Sequence, residues 1–142
     1  MKTVHKILFK NASNMADIPD KSVDLTITSP PYPMIEMWDK IFSEQNPAIR
    51  KALENKDGRT AFELMNRELD KVWKEVHRVL KDGGFACINI GDATRKIGDE
   101  FRLYSNHSRI IEKPEKSLLG LCRSDAKEKE KWLTIGNCRN SF

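Results

Sequence analysis

The chain has 142 residues, 39% hydrophobic and 32% charged, with a formal net charge of +4. That length fits one modest domain with its own core, and no stretch approaches the roughly 18 apolar residues of a membrane span. The mild basicity permits a polyanionic partner without identifying one, because acidic and basic residues are interspersed.

Three cysteines, Cys87, Cys122 and Cys138, form no C-x-x-C unit. An odd, scattered set points to a reducing cytosol and away from a metal centre. The first residues lack the apolar region of a signal peptide, so a cytoplasmic protein is expected.

In chain order, residues 4–9 read as a short strand. Asn11 then reads as a helix cap for residues 12–18, and residues 19–22 as a turn. Leu25 and Ile27, with β-branched Thr26 and Thr28, predict a strand over Val23–Thr28. Met34, Met37, Trp38 and Ile41 fall at helical spacing, as a core-facing stripe or as one wall of a pocket. Asn46-Pro47 starts a short helix to about Asn55, which stops near Gly58. Residues 60–80 form the longest predicted helix. Thr60 and Glu63 make a capping box, and Phe62, Met65, Leu69, Val72, Val76 and Val79 form the apolar stripe. Gly83-Gly84 ends it. Residues 85–90 are apolar at nearly every position, which predicts a strand buried on both faces, with Cys87 a small core residue. Strand, helix and strand in this order imply a parallel pair with a crossover. Gly91-Asp92 follows at the edge where open α/β sheets bind ligands. Asp92 reads equally as a pocket residue or as a loop cap. Residues 98–100 form a loop, Asn106 starts a helix, and His107 reads as a surface or capping group.

The loop after the second strand carries the most chemistry. Pro30 and Pro31 fix their own φ, remove two donors and bias the preceding residues to extended conformations. What remains is a stiff array of acceptors, the Ser29 hydroxyl and the prolyl carbonyls, with the Tyr32 ring just beyond. An exocyclic amino group on a nucleobase is a poor nucleophile, because its lone pair is delocalised into the ring. Fixed acceptors aimed at its N–H bonds help localise that pair. An aromatic face can hold a base that has left the duplex stack.

Thr28-Ser29-Pro30-Pro31-Tyr32 resembles the catalytic motif of amino-group DNA methyltransferases, which use S-adenosylmethionine. The resemblance extends through Ser22-Val23-Asp24-Leu25, Arg78-Val79-Leu80-Lys81-Asp82-Gly83-Gly84, Asn89-Ile90-Gly91-Asp92 and Asn106-His107-Ser108-Arg109. It implies an α/β fold: a partial, incomplete Rossmann-like sheet of mainly parallel strands flanked by helices. It implies catalytic roles for Ser29, Pro30, Pro31 and Tyr32, and cofactor-side roles for Asn11, Thr28 and Asp92. A serine before the two prolines is more typical of the cytosine-N4 branch than of the adenine-N6 branch. DNA is the implied substrate; RNA or a protein side-chain amide is a weaker alternative.

The resemblance also predicts what this segment lacks. None of the seven glycines forms the Phe-x-Gly-x-Gly turn with which such enzymes cradle S-adenosylmethionine. In the permuted branch that turn comes after the catalytic loop. Residues 1–112 therefore read as the catalytic-motif part of a methyltransferase domain, and residues 113–142 as a divergent basic tail, as though the chain stopped early or left its reading frame. In the family's sheet the strand like 4–9 is separated from the strand like Val23–Thr28 by two others. The expectation is rearranged pairing, a complementing polypeptide, or self-association through an exposed edge. The reading is thus a methyltransferase segment, or else a silent truncated or split-enzyme module that needs a partner.

Overall fold

A computed structural model of the chain describes residues 2–112, apart from the side chains of Ile111 and Glu112. The predicted tail, with Cys122 and Cys138, lies outside them. The elements in order are β1 (Val23–Thr28), a 3₁₀ turn (Glu36–Trp38), α1 (Asp39–Gln45), α2 (Pro47–Glu54), α3 (Gly58–Val79), β2 (Leu80–Ile88), β3 (Ala93–Ile97), β4 (Glu100–Tyr104) and α4 (Asn106–Glu112). No helix among the described residues is long and apolar enough to cross a membrane.

Helix α3 is the spine. Its stripe buries Ala61, Met65, Leu69, Trp73, Val76 and Val79, as the three-four spacing requires. The cap differs from expectation. Asp57, not Thr60, is the N-cap: its carboxylate accepts from the Thr60 N–H at 3.0 Å, and the helix begins at Gly58. Asn46 caps α2 as predicted, accepting from the Ala48 N–H at 3.1 Å ahead of Pro47. The Met34 stripe divides: Met34 is buried and Trp38 packs on the core, whereas Met37 and Ile41 are exposed.

The helix does not end at the two glycines. Leu80 is already extended, and β2 starts there. β1 and β2 pair in parallel across α3, with Val23 opposite Leu80 and Leu25 opposite Phe85. The extra residues on β2 form an irregularity that contains Gly83 at φ +83°. At Gly84 a Cβ would lie 3.0–3.2 Å from the carbonyls of Lys81, Asp24 and Val23, so the two backbones meet there without room for a side chain. The Asn89 N–H donates to the Thr28 carbonyl at 2.9 Å, extending the ladder to the loop after β2.

Three further expectations fail. β2 is buried on one face only: Ala86 and Ile88 join the core, while Phe85 is 55% exposed and Cys87 half-buried. Residues 4–9 form no strand, and Val4 and Phe9 are 90% and 94% exposed. A strand exists only as a member of a pair, and apolar composition alone provides no partner. Residues 12–18 form turns and bends rather than a helix, held to α3 by Arg78. Its guanidinium donates to the carbonyls of Met15 at 2.8 Å and Ile18 at 3.0 Å.

β3 and β4 form an antiparallel hairpin that closes through Gly98-Asp99, with Gly98 at φ +61°. Asp39 at the start of α1 grips Arg95 of β3 with both oxygens, at 2.8 and 2.6 Å.

Candidate active site

β1 ends at Thr28, and the next four residues leave the sheet as a rigid strip. Pro30 and Pro33 are buried, Pro31 and Tyr32 half-buried, and Ser29 exposed. The Ser29 Oγ and the Tyr32 hydroxyl lie 3.1 Å apart, in hydrogen-bond contact. The strip then turns sharply. The Ile35 N–H donates to the Tyr32 carbonyl at 3.2 Å, and Met34 stands at φ +68°. Proline at the second position and a positive φ at the third define a type II turn, which ordinarily places glycine where Met34 sits. A left-handed non-glycine residue costs about 1–2 kcal/mol. Burying the methionine side chain, 1% exposed, returns about 1.5–3 kcal/mol. The strain is therefore sustained by the core beneath the loop.

Thr28, Ser29, Pro30 and Pro31 form one wall of a cleft of about 490 Å³. Phe42, Leu69 and Val72 supply apolar lining, and Asn11, Ser13, Gln45, Glu68 and Lys71 supply polar groups. Glu68 is 9% exposed, and its carboxylate accepts from Asn46 Nδ2 at 2.9 Å and pairs with Lys71. Asn11 accepts from the Ser13 N–H at 2.9 Å, so it caps a local turn at the cleft mouth instead of a helix.

The loop after β2 stands on the other side of the tyrosine. A Cβ on Gly91 would lie 3.4 Å from Cδ2 and Cε2 of Tyr32, so the ring rests on the Gly91 backbone. Asp92 is turned to α4. It accepts from the His107 N–H at 3.1 Å and from the Ser105 hydroxyl at 3.2 Å, and it pairs with His107 Nδ1 at 2.8 Å. Burial pushes the Asp92 carboxyl up, but the His107 N–H and ring and the Ser105 hydroxyl together hold it below the usual carboxylate range. Asn106, fully buried, donates through Nδ2 to the Pro33 carbonyl at 3.1 Å and to the Gly91 carbonyl at 2.8 Å.

A family model described as DNA methylase, covering N6 and N4 amino methylation, matches residues 23–135. The chain belongs to the N6/N4 DNA methylase family. Among curated relatives, the Type II methyltransferase M.MthZI of Methanothermobacter thermautotrophicus is 56% identical over 113 residues, covering 79% of this chain and 32% of that protein. The Type II methyltransferase M.MjaI of Methanocaldococcus jannaschii is 52% identical over 125 residues, covering 80% of this chain and 41% of that protein. The chain thus spans about a third to two fifths of these relatives. Among solved structures, TTHA0409 of Thermus thermophilus, complexed with S-adenosyl-L-methionine, superposes with a TM-score of 0.51 at 28% identity, over 71% of this chain and 34% of that one. The α/β fold with its parallel pair is therefore a part of the methylase architecture.

In this methylase segment the cleft gathers Asn11, Thr28, Ser29, Pro30 and Pro31, five of the seven residues singled out by sequence. Tyr32 adjoins them through Ser29. Asp92 lies apart, on the α4 side. Glu68, Lys71 and Asn106 were not singled out. For Glu68 the available signal was an acidic residue one position from the apolar stripe of α3. Asn106 reads in sequence as a helix start and as part of the resemblance, but nothing local shows its bonds, whose partners lie 73 and 15 residues away.

Proposed function

We propose that this chain carries the catalytic loop of a DNA methyltransferase that transfers a methyl group from S-adenosylmethionine to an exocyclic amino group, cytosine N4 in particular. The placement of Thr28, Ser29, Pro30 and Pro31 on one wall of a cleft, with the Tyr32 hydroxyl in contact with Ser29, carries the reading. If the Ser29 hydroxyl donates to the Tyr32 oxygen, its lone pairs are free to accept from the amino group. The Pro30 carbonyl is the second acceptor. Tyr32 stacks on the base after it leaves the duplex. Serine before the two prolines supports cytosine over adenine.

The cleft suits a methyl donor in size, since small-molecule sites run to roughly 300–1,000 Å³, and its lining is mixed apolar and polar. Asn11 and Thr28 are the residues assigned to hold that group. When bound, it supplies an electrophilic methyl on a sulfonium, so no separate activation of the carbon is required. Ser29 and Pro30 orient the nitrogen and draw its N–H bonds, and the proton released on transfer passes to solvent.

The open face of the β1–β2 pair supports a second reading. Leu25, Ile27 and Phe85, 50%, 75% and 55% exposed, leave an apolar surface without cover among the described residues. On this reading the chain is one component of a methylase whose sheet is completed by another polypeptide or a second copy.

Calorimetric titration with S-adenosylmethionine separates the two. Saturable binding at micromolar strength, about −8 kcal/mol, supports an independent cofactor site. Absence of binding supports the component reading. Digests of methylated DNA decide the base: N4-methylcytosine is expected, and N6-methyladenine would reverse the assignment.

A further inference from the structure

Asn106 bonds to both loops flanking the tyrosine. Its side chain is fully buried, and its Nδ2 spends both protons on backbone carbonyls, Pro33 at 3.1 Å and Gly91 at 2.8 Å. Its Oδ1 is buried with no hydrogen-bond partner among the described residues. Two carbonyls converging on one point need a group that donates twice and accepts nothing there. A short amide does this. A carboxylate of the same shape reverses the polarity, and a hydroxyl has only one proton to give.

The partner carbonyls matter more than their number. Pro33 is the second residue of the type II turn, so its carbonyl belongs to the central peptide that distinguishes type II from type I. Holding that carbonyl holds the peptide flipped, and with it Met34 at φ +68°. Gly91 is the residue on which the Tyr32 ring rests. One amide therefore fixes the turn that follows Tyr32 and the surface beneath its ring. Asp92 in turn anchors α4, which carries Asn106.

We propose that Asn106 is a positioning residue for methyl transfer, which acts by locking the strained turn at residues 32–35 and seating the Tyr32 ring against Gly91. The functional half of this assignment rests on the methyltransferase reading; the structural half does not.

The test compares the wild-type chain with Asn106→Asp and Asn106→Ala. The chain has two tyrosines, Tyr32 and Tyr104, and the test follows their ring resonances by NMR. Tyr104, packed on Phe62 with ring centroids 5.3 Å apart, serves as the internal control. In Asn106→Asp at neutral pH the Tyr32 resonances shift and those of Tyr104 hold. Lowering the pH protonates the new carboxyl, restores one donor and returns the Tyr32 signals toward wild type, which shows no such transition. Methyl transfer falls roughly 10- to 100-fold in kcat, with KM for S-adenosylmethionine within about twofold. Unshifted Tyr32 resonances in both folded variants overturn the proposal, as does a kcat unchanged in a variant whose ring has moved. If the wild type shows no turnover, the reading of this chain as an independent methyltransferase fails and the functional half fails with it, while the ring resonances still decide the lock. If neither variant folds, the wild-type Asn106 side-chain amide decides: slow proton exchange supports the lock, and exchange at the free-amide rate overturns it.

Discussion

Ser29 sits at the junction of two demands. On the proposed mechanism it keeps contact with Tyr32, 3.1 Å away, and presents lone pairs to the amino group. Ser29→Ala removes both and leaves the flanking prolines in place. The expected result is a loss on the order of 10²-fold in methyl transfer, with the melting temperature nearly unchanged because the residue is exposed. Tyr32→Phe keeps the ring and loses only the hydroxyl contact, so its penalty should be smaller than that of Tyr32→Ala. Single-turnover rates on DNA check the order; equal rates for Ser29→Ala and wild type would remove the hydroxyl from the reaction. These residues were legible in sequence because the prolines write their constraint into the chain locally. The type II turn was not, because methionine is the wrong residue for its third position, and what holds it there, burial of its side chain and the Asn106 bond to the Pro33 carbonyl, comes from distant segments.

Among the elements, α3 shows how a correct helix can be given the wrong start. The Thr60/Glu63 pattern satisfied the capping-box rule, yet Asp57 holds the first turn. Asp57→Ala should cost about 1 kcal/mol, whereas Thr60→Ala, which keeps the capped N–H and loses only its side chain's contact with the Asp57 carboxylate, should cost less; urea midpoints of the two variants discriminate. The other end of α3 fastens the segment before β1. Glu75 accepts from the Met15 N–H at 2.8 Å and from Arg78 at 2.9 and 3.1 Å. The Arg78 guanidinium, then the Met15 N–H, hold its carboxyl down at about 2, from an ordinary 4.5. A carboxyl depressed by folding stabilises above its unfolded value and loses that contribution as pH falls. Stability should therefore decline between about pH 4.5 and 2, and Glu75→Gln should flatten that part of a urea-midpoint profile. The hairpin of β3 and β4 was missed although its signal was present: Gly98-Asp99 between two five-residue runs is a two-residue turn with positive φ at its first position, the type II′ form.

At the scale of the whole molecule, β1 and β2 form a parallel pair that, among the described residues, is covered on one face only. Parallel sheets are ordinarily buried on both faces, whereas Leu25, Ile27 and Phe85 leave an apolar face open among the described residues, which motivates the component reading. The chain should self-associate at high concentration, and Ile27→Lys together with Phe85→Lys should return it to monomer with little change in melting temperature. Sedimentation across a concentration series checks this; a monomeric wild type would show that the face does not pair copies of the chain.

The rigid acceptor loop, the long amphipathic helix, the cap of α2 and the strand-helix-strand order can all be read from the amino-acid order, because each is written in residues within a turn or two of one another. Folding in three dimensions settled the rest: residues 4–9 form no strand, β2 is covered on one face among the described residues, Asp92 turns to His107, and Asn106 joins the two loops beside Tyr32. Those outcomes depend on contacts between segments up to 73 residues apart, and on which surfaces find a partner, information that no local pattern holds.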